Sequence, residues 1–140
     1  MHLKLTNGTP AKYTLGQLRR DNPQTSFPKS VPDDLLASYD VYPYTRPIAL
    51  EYDGLTHRLT DGVFEQVEGG WVLPYVVEQQ PLEQAERNIR SRRDGLLQET
   101  DWMALSDVTM SAEMTSYRQA LRDITEQAGF PYEVTWPTKP

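Results

Sequence analysis

Hydrophobic positions recur with two different periods, every second residue in much of the first eighty positions and every third or fourth after Pro81. His2 to Leu5 alternates polar with apolar as a short strand does, and Asn7-Gly8 supplies a turn to close it. The run VFEQVEGGWVLPYVVE, Val63 to Glu78, holds two alternating stretches around Gly69-Gly70, which predicts a hairpin with these glycines as its two-residue turn. Pro74 donates no ladder hydrogen bond, so its strand is expected at an edge or with a bulge there. Thr14 followed by Gln17 forms a capping-box pattern, opening a short helix through Leu15, Leu18 and Arg20 that stops before Pro23. Pro32 in a first-turn position, with Asp33 and Asp34 favourable to the helix dipole, starts a second one through Leu35, Leu36 and Ala37. Asp40 to Pro47 reads as extended chain.

After Pro81 the pattern becomes helical. Leu82, Ala85, Ile89, Leu96 and Leu97 define an amphipathic helix from about 82 to 99, Arg-rich in its third turn and weakened near its end by Gly95. Thr100-Asp101 reads as a break with a new cap before Trp102. Ser111 can cap a further helix in which Met114, Tyr117, Leu121, Ile124 and Ala128 form one stripe, ended by Gly129 and Pro131. Beyond it Phe130, Tyr132, Val134 and Trp136 alternate as an extended segment does. It either folds back over the helices or adds to a strand edge on a partner.

The expected fold is therefore α+β. A small N-terminal meandering antiparallel sheet with short helices occupies residues 1–80, and a helical hairpin with an extended aromatic and proline-containing tail occupies residues 81–140.

Composition narrows the chemistry. The net charge of −6 over 140 residues argues against binding to nucleic-acid backbones, which needs a field of Lys and Arg. Arg87, Arg90, Arg92 and Arg93 form a local exception. With no aromatic near them in sequence, they read as a solvated helix face pairing with Glu83, Glu86, Glu99 or the carboxylates of a partner. There is no cysteine, and no apolar run has membrane-spanning length, so neither a thiolate site nor a membrane partner is expected. The two histidines lack a matching base or ligand pattern: His2 is terminal, and His57 in THRLTD stands at the start of a strand. Asp33 and Asp34 point in different directions on a helix, and Asp53, Asp61 and Glu65 lack the alternate spacing of a calcium loop. No enzyme, cofactor, metal or small-molecule substrate is expected. An enzyme would require His57 to meet Asp53, Asp61 or Glu65 in a cleft.

Most information lies in RRDGLLQETDWMALSDV, YRQALRDI and GFPYEVTWP. In physical terms Asp101 is expected to cap a turn that places Trp102 and Leu105 against the helix pair, facing Tyr117, Leu121 and Ile124. Arg118 and Arg122, one turn apart, have Asp101 or Asp107 as partners for a polar clasp. These residues resemble the C-terminal module of the caudovirus tail fibre assembly proteins, also described as phage tail assembly chaperones. The resemblance rests on Leu96, Leu97, Thr100, Asp101, Trp102, Leu105, Asp107, Tyr117, Arg118, Leu121, Arg122, Asp123, Ile124, Phe130, Pro131, Trp136 and Pro137. The stretches KLTNG, YTLGQLRRDNPQTSFP and YDVYP also look like the sheet-bearing half of some members. Asp94 departs from the family pattern, where Asn is usual, and Met114 stands in place of Trp.

The resemblance implies a non-enzymatic chaperone that binds a trimeric tail fibre protein in the host cytoplasm and assists its folding, trimerisation or attachment. The alternative is a virion component that stays on the tail as a fibre adaptor or cap. Candidate partner contacts are Trp102, Met114, Tyr117, Arg118, Arg122, Phe130, Tyr132 and Trp136. Against this, Trp102, Tyr117 and Leu121 have the helical spacing of residues that pack inward.

Overall fold

Asn7 and Gly8 both adopt positive φ, 52° and 79°, and turn strand β1 (His2–Thr6) onto β2 (Thr9–Tyr13) with Thr6 opposite Thr9. The structure is a computed structural model that describes residues 1–140, with the α+β composition the sequence indicates. Helix α1 (Leu15–Asp21) opens on a full capping box. The Thr14 hydroxyl accepts from Gln17 N at 3.1 Å, and the Gln17 side chain accepts from Thr14 N at 2.8 Å. Helix α2 (Asp33–Ala37) begins one residue after Pro32, which occupies the cap position.

Strand β3 (Val41–Thr45) pairs antiparallel with β1, after which come β4 (His57–Asp61), β5 (Glu65–Val67), β6 (Gly70–Val72) and β7 (Tyr75–Gln79). The five-stranded sheet runs β2-β1-β3-β6-β5, and β4 pairs with β7 in a separate two-stranded ribbon. One pairing differs from a pure antiparallel meander. β3 and β6 are parallel, Tyr44 beside Trp71, which the long excursion of residues 46–69 between them permits.

The hairpin is shifted by one residue from its expected position. Val67 pairs with Gly70, so the two-residue loop is Glu68-Gly69, and Gly70, at φ 138°, belongs to β6. Gly70 joins the ladder by pairing with Val67 of β5, next to Trp71, which pairs with both β5 and β3. Pro74 marks the point where the second arm leaves one sheet for the other: β6 ends before it and β7 starts after it. The Pro74 carbonyl still accepts from Gly62 N at 2.9 Å.

The chain forms two compact units, Met1–Leu50 with Leu59–Val76, and Glu51–Arg58 with Val77–Pro140. In the first, Leu18, Val31, Leu36 and Val41 form one core cluster, and Leu3, Tyr44 and Leu73 form another, with Phe64 edge-on to Tyr44. In the second, α3 (Leu82–Gln98) and α4 (Ala112–Arg122) make the hairpin, joined through a 3₁₀ turn at Asp101–Ala104. The Ser111 hydroxyl accepts from Met114 N at 3.1 Å and sets the start of α4. The apolar stripe is buried through Met114, Tyr117, Leu121 and Ile124. It ends sooner than its spacing suggests: α4 tightens into a 3₁₀ turn at Asp123–Glu126, Gln127 turns extended, and Ala128 is exposed.

Residues 51–58 are fastened within the second unit by side-chain amides. Gln80 Nε2 donates to Gly54 O at 2.8 Å and to His57 O at 3.0 Å, and Asn88 Nδ2 donates to Leu55 O at 2.8 Å. The bonds to Gly54 O and Leu55 O satisfy carbonyls of the loop that precedes β4.

Candidate functional site

The C-terminal unit is built around its own tail. Trp136 packs against Met114, Tyr117 and Leu121, with Leu96, Leu97, Met103 and Met110 completing the cluster. The tail reaches this place through a tight turn in which Glu133 N donates to Gly129 O at 2.7 Å. It is held there by the Gln127 amide, which donates to Thr135 O at 2.9 Å and accepts from Thr135 N at 2.7 Å. The Tyr132 hydroxyl donates to Gln80 O at 2.7 Å, and Lys139 meets Glu99 at 3.4 Å. Of the two courses open to residues 130–136, the folded-back one is what this structure shows, with no strand formed.

The arginine run acquires aromatic neighbours from this tail, against the expectation of a purely solvated face. Arg90 lies over the Phe130 ring at 5.3 Å from its centroid, and Arg92 over Trp136 at 5.2 Å. The solvated side of the helix carries the expected i to i+4 pairs, Arg90 with Glu86 at 2.8 Å and Arg87 with Glu83 at 3.7 Å.

Arg118 forms the polar clasp. It donates to Leu97 O at 2.9 Å, Thr100 Oγ1 at 2.6 Å and Asp101 Oδ1 at 2.8 Å, tying α4 to the end of α3. Asp101 is thus an ion-pair partner and not the cap, since Thr100 occupies the cap position of the turn. Arg122 is exposed and joins no ion pair, so the clasp is carried by Arg118 alone.

Trp102 and Leu105 also depart from expectation. They are 55% and 58% exposed, because the 3₁₀ turn directs only Met103 of its apolar residues into the core cluster. The eight candidate contacts therefore divide three ways. Met114, Tyr117 and Arg118 are internal; Phe130, Tyr132 and Trp136 are half-buried by the tail's own docking; Trp102 and Arg122 face solvent. Sequence reasoning overlooked Gln80 and Gln127, whose roles carry no local signal.

Elsewhere, His57 places Nδ1 2.8 Å from Thr56 Oγ1 and its ring edge-on to Tyr132, away from any carboxylate partner. No group of three or more His, Cys, Asp or Glu side chains is placed to hold a metal ion, and no helix is long and apolar enough to cross a membrane. In the first unit Asp61 accepts from both Lys12 and Arg46, and these two bonds hold its carboxyl below its ordinary range. Arg46 also lies over the Tyr75 ring at 4.8 Å.

The second unit is thus a helical hairpin strapped by its own C-terminal tail, with a Trp-bearing turn left in solvent. Residues 86–140 match the family model described as phage tail assembly chaperone protein, which supports the resemblance carried by the sequence motifs. No curated protein and no solved structure matches the chain.

Proposed function

We propose that this protein is a phage tail fibre assembly chaperone that acts in the host cytoplasm without catalysis. It binds a trimeric tail fibre protein before or during assembly, covers its apolar surface or open strand edges, and assists folding, trimerisation or attachment. The match over residues 86–140 carries this reading. Within that segment Trp102 and Leu105 are large apolar side chains that the fold leaves exposed, as anchors for a partner are. Met114, Tyr117 and Arg118 act indirectly, by shaping the hairpin that presents them, and Arg122 flanks the same segment.

The test is co-expression with the tail fibre protein of the same genome, followed by size-exclusion chromatography of the soluble fraction. Fibre that is soluble only with this chain, and later separates from it, supports a chaperone. A stable co-eluting complex, found also in purified particles, favours a permanent adaptor or cap. Fibre that neither binds nor changes solubility overturns both.

A further inference from the structure

Helix α3 presents an outward face that is largely open to solvent, although Arg90 on it lies over the Phe130 ring. Arg87, Arg90, Ser91, Asp94, Gly95 and Gln98 are all exposed and line one open groove, which extends to Asp101. Their spacing, three or four residues at each step, puts them on a single stripe of the helix.

Two properties of this stripe point to its occupant. Its charges are divided along the axis, basic at Arg87 and Arg90 and acidic at Asp94 and Asp101. A second copy running the opposite way places basic half against acidic half, whereas a parallel copy sets Arg on Arg. Centring the twofold axis level with residue 92 brings Arg90 opposite Asp94 in both directions at once. Each of these charges already has a partner in its own chain, Glu83 for Arg87, Glu86 for Arg90, Arg93 for Asp94 and Arg118 for Asp101. The second copy therefore shares the partly exposed pairs Arg90–Glu86 and Arg93–Asp94, of a kind that contributes little alone.

The second property is room. A Cβ added at Gly95 meets nothing within 4 Å, so no contact inside the chain requires a glycine there. In a helix interior that glycine costs about 1 kcal/mol relative to alanine. With Ser91 one turn earlier, it lets another helix approach closely at the centre of the stripe.

We infer that the outward face of α3 is a self-association surface, pairing antiparallel with the same face of a second copy of this chain. A 17-residue helix spans about 25 Å, which gives a contact at the low end of stable interface sizes, so the pairing is concentration-dependent and weakened by salt. The inference does not depend on the proposed function.

The experiment is sedimentation equilibrium of the full chain across a range of concentrations, for the wild type and for R90E and D94R. The wild type should move from monomer toward dimer as concentration rises. Each single reversal should weaken self-association by about tenfold or more, because it sets like charges opposite each other in both symmetric pairs. Mixed in equal amounts, R90E and D94R should form a heterodimer. The acid introduced in the first then faces the base introduced in the second, and the unaltered Asp94 of the one faces the unaltered Arg90 of the other. Arg90 also touches Glu86 and Phe130, so if R90E fails to fold, D94R alone against the wild type carries the test. A wild type that stays monomeric throughout, or reversals that leave its association unchanged, overturns the inference, as does failure of the two folded variants to pair.

Discussion

Arg118 and Asp101 meet at 2.8 Å with unequal burial: 7% of the arginine side chain is exposed, against 62% of the aspartate. The ion pair is therefore not symmetric in energy. Removing Arg118 takes the charged donor from Leu97 O and Thr100 Oγ1, leaving them only the bonds that Thr100 N and Oγ1 make to Leu97 O. Arg118→Ala should cost about 1–3 kcal/mol in urea unfolding. Asp101→Ala leaves the largely buried guanidinium without its counter-ion, held by Leu97 O and Thr100 Oγ1 alone, and should cost at least as much. A loss well below that of Arg118→Ala would mean that the two acceptors, and not the carboxylate, hold the guanidinium in place.

Two glycines in the same unit should respond to alanine in opposite directions. A Cβ at Gly129 would collide with Glu133 O and fall 2.7 Å from Glu133 Cβ, inside the turn that returns the tail to the hairpin. Backbone cannot swing aside as a flexible side chain can, so Gly129→Ala should destabilise by about 1–3 kcal/mol. At Gly95 the space is open, and Gly95→Ala should stabilise dilute monomer by about 1 kcal/mol. Thermal melts of both variants at low concentration decide the signs.

Gln127 holds Thr135 with both ends of its amide, so the chemistry of the substitution matters more than its size. Gln127→Glu keeps the acceptor but turns the donor into an oxygen facing the Thr135 carbonyl. It should release the tail more fully than Gln127→Ala, which costs about 1 kcal/mol per lost bond at most. Hydrogen exchange at the Thr135 amide reads this directly: protection should fall in Gln127→Ala and fall further in Gln127→Glu. Unchanged protection in both would show that Trp136 docking alone fixes the tail.

If Trp102 and Leu105 anchor the fibre, truncating them should leave the fold intact, since neither belongs to the core cluster. Trp102→Ala with Leu105→Ala should change the melting temperature little while reducing co-elution with fibre protein by at least about tenfold, the effect of losing an aromatic anchor. Retained binding in a folded double variant would move the contact elsewhere on the C-terminal segment.

What the sequence discloses of this fold is the part decided within four residues. The Thr14–Gln17 box, the Ser111 cap and the Asn7-Gly8 turn are all local hydrogen-bond or dihedral requirements, legible from the residues that meet them. Where distant chain chooses the outcome, the local signal misleads. Arg90 and Arg92 look solvated because Phe130 and Trp136 lie some forty positions away along the chain. Tyr132 and Gln80, joined by one hydrogen bond, are separated by 52 positions. Trp102 looks like core by type, yet the short 3₁₀ turn has one inward direction, and Met103 takes it.

The first unit should lose stability at both ends of the pH scale through two different groups. Hydrogen bonds from Lys12 and then Arg46 hold the Asp61 carboxyl below its ordinary range. A depressed folded pKa means that the stabilisation is present above the unfolded value, about 4, and is lost as pH falls through the lower folded value. On the alkaline side, desolvation and the hydrogen bond to Asp21 push the Tyr13 hydroxyl up to about 12. A raised folded pKa gives stabilisation that is full below the unfolded value of about 10 and is lost as pH climbs toward about 12. Asp61→Asn should therefore be less stable than wild type at neutral pH and show a flatter acid limb. Tyr13→Phe should do the same on the alkaline limb only. Melting temperatures measured across pH for the three proteins separate these effects, and a wild-type acid limb unchanged by Asp61→Asn would assign it to other carboxylates.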